Sequence, residues 1–192
     1  SSYDNCHVHW GSTHEHTWRE IKNNDFSSGM YMWTGFEYMG EPTPYWYPAR
    51  KSYFGIIDLA GFPKDVYYMY QSEWSDKDVL HLCPHWNWAD GQTIDMWAYY
   101  NNADKVELFI NGESQGVREK AKDEFHVSWR VKYIPGTVKL VSYKNDIQVQ
   151  SKEIHTAGEP AQIRLTPDRS KIKSDGEDLS FVTVEILDAN GN

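Results

Sequence analysis

Residues 30–45 read Met-Tyr-Met-Trp-Thr-Gly-Phe-Glu-Tyr-Met-Gly-Glu-Pro-Thr-Pro-Tyr, and residues 52–74 read Ser-Tyr-Phe-Gly-Ile-Ile-Asp-Leu-Ala-Gly-Phe-Pro-Lys-Asp-Val-Tyr-Tyr-Met-Tyr-Gln-Ser-Glu-Trp. Met30–Trp33 is a short, almost wholly apolar run, as expected of a strand buried on both faces of a parallel sheet. Residues 34–62 form a long loop carrying Gly35, Gly40, Pro42, Pro44, Pro48, Gly55 and Gly61. Loops of that length in a compact domain usually carry function. Pro63 fits the first position of a following helix, with Val66, Tyr67, Tyr70 and Trp74 as its inward face. Strand, aromatic-acidic loop, helix is how a (β/α)8 barrel builds one sector of an active site. Flat rings beside carboxylates suit sugars, because a ring stacks on a pyranose face while carboxylates hold its hydroxyls.

Upstream of this stretch, 1–12 reads as loop. Ser12 or Thr13 caps a helix with Glu15 or His16 in its first turn. His14, Thr17, Trp18 and Ile21 recur at helical spacing, and Asn23, Asn24 and Asp25 end the element. The histidines His7, His9, His14 and His16 invite a zinc reading. Against it, His14 and His16 are two apart and point to different helix faces, and no Cys-x-x-Cys accompanies them. Cys6 and Cys83 lie far apart in different elements and fit no disulfide framework.

Downstream the pattern changes. Val79–Cys83, Thr93–Tyr100, Lys105–Ile110, Phe125–Tyr133, Thr137–Tyr143 and Ile147–His155 are short alternating segments, with Asn111-Gly112, Pro135-Gly136 and Asn145-Asp146 as tight turns. Six or seven strands in this span describe an immunoglobulin-like sandwich in architecture, without the Cys…Trp…Cys pattern of antibody domains. Glu159-Pro160 opens a third segment, in which Ala161–Thr166 and Leu179–Leu187 read as strands. A lone strand pair is marginal in water, and one strand with two helices cannot close a barrel. The expectation is a chain truncated at both ends. Ser1 to His9 lacks a signal-peptide pattern, and the missing initiator Met points the same way.

The net charge is −9, with Lys and Arg dispersed. That argues against nucleic acid, whose binding needs a basic patch, and favours a neutral substrate or a protein surface. No apolar run approaches the roughly 20 residues that span a bilayer. The chain has nine Trp and thirteen Tyr, and all but Trp129, Tyr133 and Tyr143 crowd into residues 1–100. Most must fill a core or a domain interface.

Residues 1–157 resemble part of the β-galactosidase branch of glycoside hydrolase family 2 found in gut Bacteroides-like bacteria. The stretches that carry the resemblance are Trp10 to Glu15, Ser28 to Tyr38, Gly40 to Tyr45, Tyr53 to Asp65, Gln71 to Trp74 and Leu80 to Trp88. The resemblance implies that 1–75 is the C-terminal part of a TIM-barrel catalytic domain, 76–157 an immunoglobulin-like sandwich, and 158–192 the start of a further β-domain. It implies retaining hydrolysis of terminal β-galactosides or related β-glycosides, plant or host glycans among them, by two glutamates about 5 Å apart. Both would fall upstream of Ser1. Family members often bind Mg2+ or Na+ near the site, again through upstream ligands, so no cofactor is expected within this chain. The expected partners are the glycan and the remainder of the parent enzyme. A homo-oligomer and a periplasmic or secreted location are compatible with the family.

Trp33 matches the family's sugar-platform Trp. At the C-terminal end of a barrel strand it faces the site; the alternative is a core Trp. Glu37 is expected to hold sugar hydroxyls, or else to pair with Arg50 or cap local backbone. Glu41, flanked by proline, lines the mouth of the site or is structural. Glu37 and Glu41 superficially fit a retaining pair, but barrel catalytic residues come from different strands. Tyr45 and Trp46, with Tyr47, stack on a leaving-group sugar or pack beneath a neighbouring domain. Trp86 and Trp88 supply an aglycone contact or plug a domain interface. Two other classes stand beside the hydrolase: a non-catalytic carbohydrate-binding module, and a purely structural scaffold.

Overall fold

The structure is a computed structural model and describes residues 3–192; the expected domain start at Ser1 lies outside the described residues. Helix α1 (His14–Lys22) begins where Thr13 accepts a hydrogen bond from the His16 N–H at 3.3 Å, satisfying one donor of the first turn. Helix α2 (Asp65–Trp74) starts after Lys64, so Pro63 lies just outside it rather than at its first position. Its buried residues are Met69, Tyr70 and Ser72, whereas Trp74, expected to face inward, is exposed.

Seven strands follow: β1 (Leu80–Cys83), β2 (Thr93–Tyr100), β3 (Lys105–Ile110), β4 (Glu113–Arg118), β5 (Val127–Lys132), β6 (Thr137–Lys144) and β7 (Ile147–His155). They form a three-stranded sheet in the order β1-β2-β5 and a four-stranded sheet in the order β4-β3-β6-β7, antiparallel throughout. Asn111-Gly112 and Asn145-Asp146 take positive φ at both residues, as two-residue hairpin turns require. Alternate residues of the two sheets meet in one core, with Ile94, Met96, Ala98, Val127, Trp129 and Val131 against Val106, Leu108, Ile110, Val138 and Leu140.

The opposite face of the three-stranded sheet carries the helices. Cys83 and Tyr99 pack with Met69, Tyr70, Ile56 and Phe125 in a second core, flanked by Trp18 and Trp97. Polar clips lock the contact: His126 Nδ1 lies 2.6 Å from Glu15 Oε1, and Arg19 donates to the Asp123 carbonyl at 2.8 Å. Strands β8 (Gln162–Pro167) and β9 (Val182–Leu187) form a separate hairpin ribbon. Asp188 ties it back to the linker by accepting the Gly158 N–H at 2.9 Å.

Two expectations need correction. Among the described residues, Met30–Trp33 forms no strand, and Tyr31 and Trp33 are exposed. A buried parallel strand needs ladder partners on both sides; here the chain pairs only just beyond it, where Phe36 bridges Ile57 in parallel. Residues 3–75 accordingly hold two helices and isolated bridges, with no multi-strand sheet among those described. The other correction is β4, which the alternation did not predict. It is an edge strand whose sequence, Glu-Ser-Gln-Gly-Val-Arg, has no apolar face.

Candidate functional site

The aromatic loop is built on a short parallel contact. Glu37 N–H donates to the Ile57 carbonyl and Ile57 N–H to the Gly35 carbonyl, each at 2.9 Å. Gly55 makes this approach possible: a Cβ there would sit 2.2 Å from the Glu37 nitrogen and 2.7 Å from the Ile57 carbonyl oxygen. The returning segment then pairs Met39 with Lys51, and Ser52 N–H donates to the Tyr38 carbonyl at 2.9 Å.

On this frame Trp33 is 71% exposed. Its indole N–H donates to the Tyr38 hydroxyl at 3.1 Å, and the two rings meet edge to face with centroids 6.1 Å apart. The Tyr38 hydroxyl in turn donates to Glu41, a bond that raises the phenol above its ordinary range. Trp33, Tyr38 and Glu41 thus form a relay that fixes an exposed indole with its face free. Tyr38 was missed from sequence, where nothing but proximity linked it to either partner.

Glu37 is placed differently from the expectation. Its side chain is 1% exposed, with one carboxylate oxygen bonded to Lys51 and the other to Lys64. Neither an Arg50 pairing nor an outward-facing carboxylate is seen. Burial pushes this carboxyl up, but the hydrogen bonds and charges of the two lysines outweigh it and hold the group below its ordinary value. A buried carboxylate kept ionised by two cations is not an acid poised to donate a proton. Glu37 and Glu41 therefore do not make an acid/base pair. Lys51 and Lys64 were also missed, because only the bridges Met39–Lys51 and Ile57–Pro63, set on the 34–37 to 54–57 pairing, bring them to Glu37.

Replacing Glu37 by Gln keeps the shape and removes the charge. Breaking a buried ion pair costs about 3–5 kcal/mol. Both lysines keep partial exposure and can turn to water, so the expected loss is about 2 kcal/mol at neutral pH. Since the folded pKa lies below the ordinary 4.5, the wild-type contribution is fully present above that value. It is lost as pH falls through the folded pKa. Thermal melts from pH 7 to pH 3 should show this acid loss in the wild type and a smaller one in Glu37→Gln. Parallel curves would refute the assignment.

Beyond the relay, Tyr45, Trp46, Pro48, Ala49 and Tyr53 line an open cleft of about 450 Å3. Tyr45 meets Tyr53 edge-on at 4.7 Å, and Lys51 lies over the Tyr53 ring at 5.2 Å, linking the cleft to the Glu37 cluster. Trp46 and Tyr47 are both highly exposed. Trp86 belongs elsewhere. It is fully buried in the sandwich core, packs on Tyr133 and donates its indole N–H to the Ile134 carbonyl at 3.1 Å. Its ring is not available to a sugar, because it fills the space between the sheets. Trp88 is half-buried, stacked on His85 at 4.4 Å. Its loop bonds to Thr156 and Ala157, toward the C-terminal linker. Neither cysteine forms a disulfide among the described residues; Cys6 is exposed and Cys83 buried.

Comparison with known proteins identifies the lineage. Residues 163–192 match the model of glycoside hydrolase family 2 C-terminal domain 5, and residues 91–150 match a domain family of unknown function, DUF4982. The whole chain is 67% identical to β-galactosidase BoGH2A of Bacteroides ovatus and covers 23% of that protein. The chain belongs to glycoside hydrolase family 2. Among solved structures, a β-glycosidase from Bacteroides vulgatus superposes with a TM-score of 0.90 at 34% identity, over all of this chain and 24% of that one. A family 2 member from Bacteroides cellulosilyticus gives 0.80 at 30% identity, over 93% of this chain and 28% of that one. This family 2 chain therefore spans about a quarter of the length of the relatives it matches.

Proposed function

We propose that this chain is the sugar-contacting edge and following β-domains of a retaining glycoside hydrolase that cleaves terminal β-galactosides or related β-glycosides. The observation that carries the reading is the Trp33–Tyr38–Glu41 relay, an exposed indole held rigid with a carboxylate beside it. Such a platform stacks on the apolar face of a pyranose while Glu41 accepts from its hydroxyls, and Tyr45 and Trp46 contact the leaving-group sugar. The β-galactosidase name of a relative identical at two-thirds of positions supports the substrate class. In this reading, residues 3–75 close a TIM barrel supplied largely by the rest of the enzyme. The strand orders β1-β2-β5 and β4-β3-β6-β7 suit an immunoglobulin-like sandwich, and β8–β9 opens a third domain. The two catalytic glutamates come from elsewhere in the parent, because Glu37 is engaged by lysines and Glu41 has no acid/base companion on this loop.

Removing the platform costs the transition state about 1–2 kcal/mol of apolar burial. Trp33→Ala in the parent enzyme should therefore lower kcat/KM for an aryl β-galactoside about tenfold. Trp33→Phe should recover part of the loss. Unchanged kcat/KM in Trp33→Ala would sink the platform assignment. The isolated 192-residue chain should leave the same substrate uncleaved; sugar-dependent quenching of its Trp fluorescence without turnover in the parent would favour a carbohydrate-binding module instead.

A further inference from the structure

The sheet face turned toward the helices carries chemistry that the aromatic loop does not use. His81 and Cys83 are two apart on β1, so both side chains leave the strand on one face. Tyr99 and Trp97 lie directly opposite them on β2. Helix α2 begins against this face and brings Asp65 Oδ1 to 2.7 Å from His81 Nε2. The His81 ring is fixed by stacking on Tyr68, with centroids 3.8 Å apart and planes 8° from parallel. One donor atom from each of Asp65, His81 and Cys83 lies within 4.8 Å of the other two.

An Asp–His pair alone needs no sulfur beside it. Here the sulfur is 1% exposed. Tyr99, the cross-strand neighbour of His81, has a buried hydroxyl with no hydrogen-bond partner among the described residues. A buried hydroxyl left unpaired is costly to the fold. A cation carrying a water answers both features, using the buried sulfur and offering the hydroxyl a polar partner.

We propose that Asp65, His81 and Cys83 bind one divalent transition-metal cation of the zinc type, with water in the fourth position. Carboxylate, imidazole and thiolate are all zinc ligands, whereas Mg2+ and Ca2+ take oxygen. Donor atoms around a tetrahedral zinc with bonds of about 2.0–2.3 Å sit about 3.3–3.8 Å apart, so small side-chain rotations suffice. Binding releases the Cys83 thiol proton to solvent as the sulfur–metal bond forms, and the His81 ring proton moves from Nε2, where it meets Asp65, to Nδ1, with no change of oxidation state. Asp65 and His81 keep 24% and 19% side-chain exposure, which gives the ion its entry. The site would pin the start of α2 to β1 and so fasten the helical region to the sandwich.

The test uses the full 192-residue chain carrying Cys6→Ser, which removes the exposed thiol between Asn5 and His7. Titration with Co2+ should produce the near-ultraviolet charge-transfer band of a cobalt–thiolate bond at one equivalent, and Zn2+ should bleach it. Adding Cys83→Ser should abolish the band. Asp65→Asn, at a more exposed position, should weaken Co2+ binding at least about tenfold, the scale on which even outer-shell partners of metal ligands act. Saturating Zn2+ should raise the melting temperature of the Cys6→Ser chain. No band in that chain, or a band that survives Cys83→Ser, would overturn the proposal. Should Cys83→Ser fail to fold, Asp65→Asn decides, and unchanged Co2+ affinity there would overturn it equally.

Discussion

Trp86→Ala is expected to destabilise the sandwich by about 3–5 kcal/mol, the range for truncating a fully buried Trp. The indole lies between the sheets with none of its surface exposed, and is pinned by Tyr133 and by its bond to the Ile134 carbonyl. Truncation leaves a cavity that close-packed strands fill poorly, and it frees a carbonyl acceptor. Small domains hold only about 5–15 kcal/mol in total, so this one change removes a large share. Guanidinium unfolding followed by far-UV circular dichroism should show the sandwich transition moving to much lower denaturant. Trp86→Phe should recover more than half of the loss, since it restores most of the ring volume. A change below about 1 kcal/mol for Trp86→Ala would mean that the ring is not packed between the sheets.

Gly55→Ala should be nearly as costly, for a different reason. The added methyl would sit 2.2 Å from the Glu37 nitrogen and 2.6 Å from the Phe36 carbonyl carbon, both backbone atoms with no freedom to turn aside. Overpacking typically costs about 1–3 kcal/mol and more where the neighbours cannot move, so about 3 kcal/mol or more is expected. The damage should fall on the aromatic loop. The 34–37 to 54–57 pairing would separate, taking Lys64 and Lys51 away from Glu37. Gly35→Ala is the control, because a Cβ at Gly35 meets nothing within 4 Å. Hydrogen exchange should show Glu37 and Ile57 amides losing protection in Gly55→Ala and keeping it in Gly35→Ala. Equal protection in both variants would contradict the close approach at Gly55.

Both predictions concern positions whose importance is only partly visible in the sequence. Trp86 stands out as one of two tryptophans two residues apart, a pattern that suits a binding surface equally well. Its burial follows from the meeting of two sheets far apart in sequence. Gly55 reads as one loop glycine among several, and only the parallel contact with Phe36 and Glu37 singles it out. Among the candidates, Trp33, Glu41, Tyr45 and Trp46 stand out in the sequence as large rings and a carboxylate in a glycine- and proline-rich loop, and the structure leaves Trp33 and Trp46 highly exposed. Glu37 looked the same as Glu41 on paper. The tertiary pairing closed one inside two lysines and left the other beside Tyr38.

The sequence by itself determined what short-range chemistry controls. Thr13 caps α1, Asn111-Gly112 and Asn145-Asp146 turn their hairpins, and the alternating segments between them become six of the seven sandwich strands. Each depends on neighbours a few residues away, so a local pattern suffices. Only the tertiary structure decided which polar groups end up buried together. Met30–Trp33 stays out of a sheet because ladder hydrogen bonds need partners from elsewhere. Glu37 is neutralised by lysines 14 and 27 residues away, and Asp65, His81 and Cys83 converge because α2 docks on β1. Side-chain environment is set by what packs across space, and a linear pattern carries no record of that.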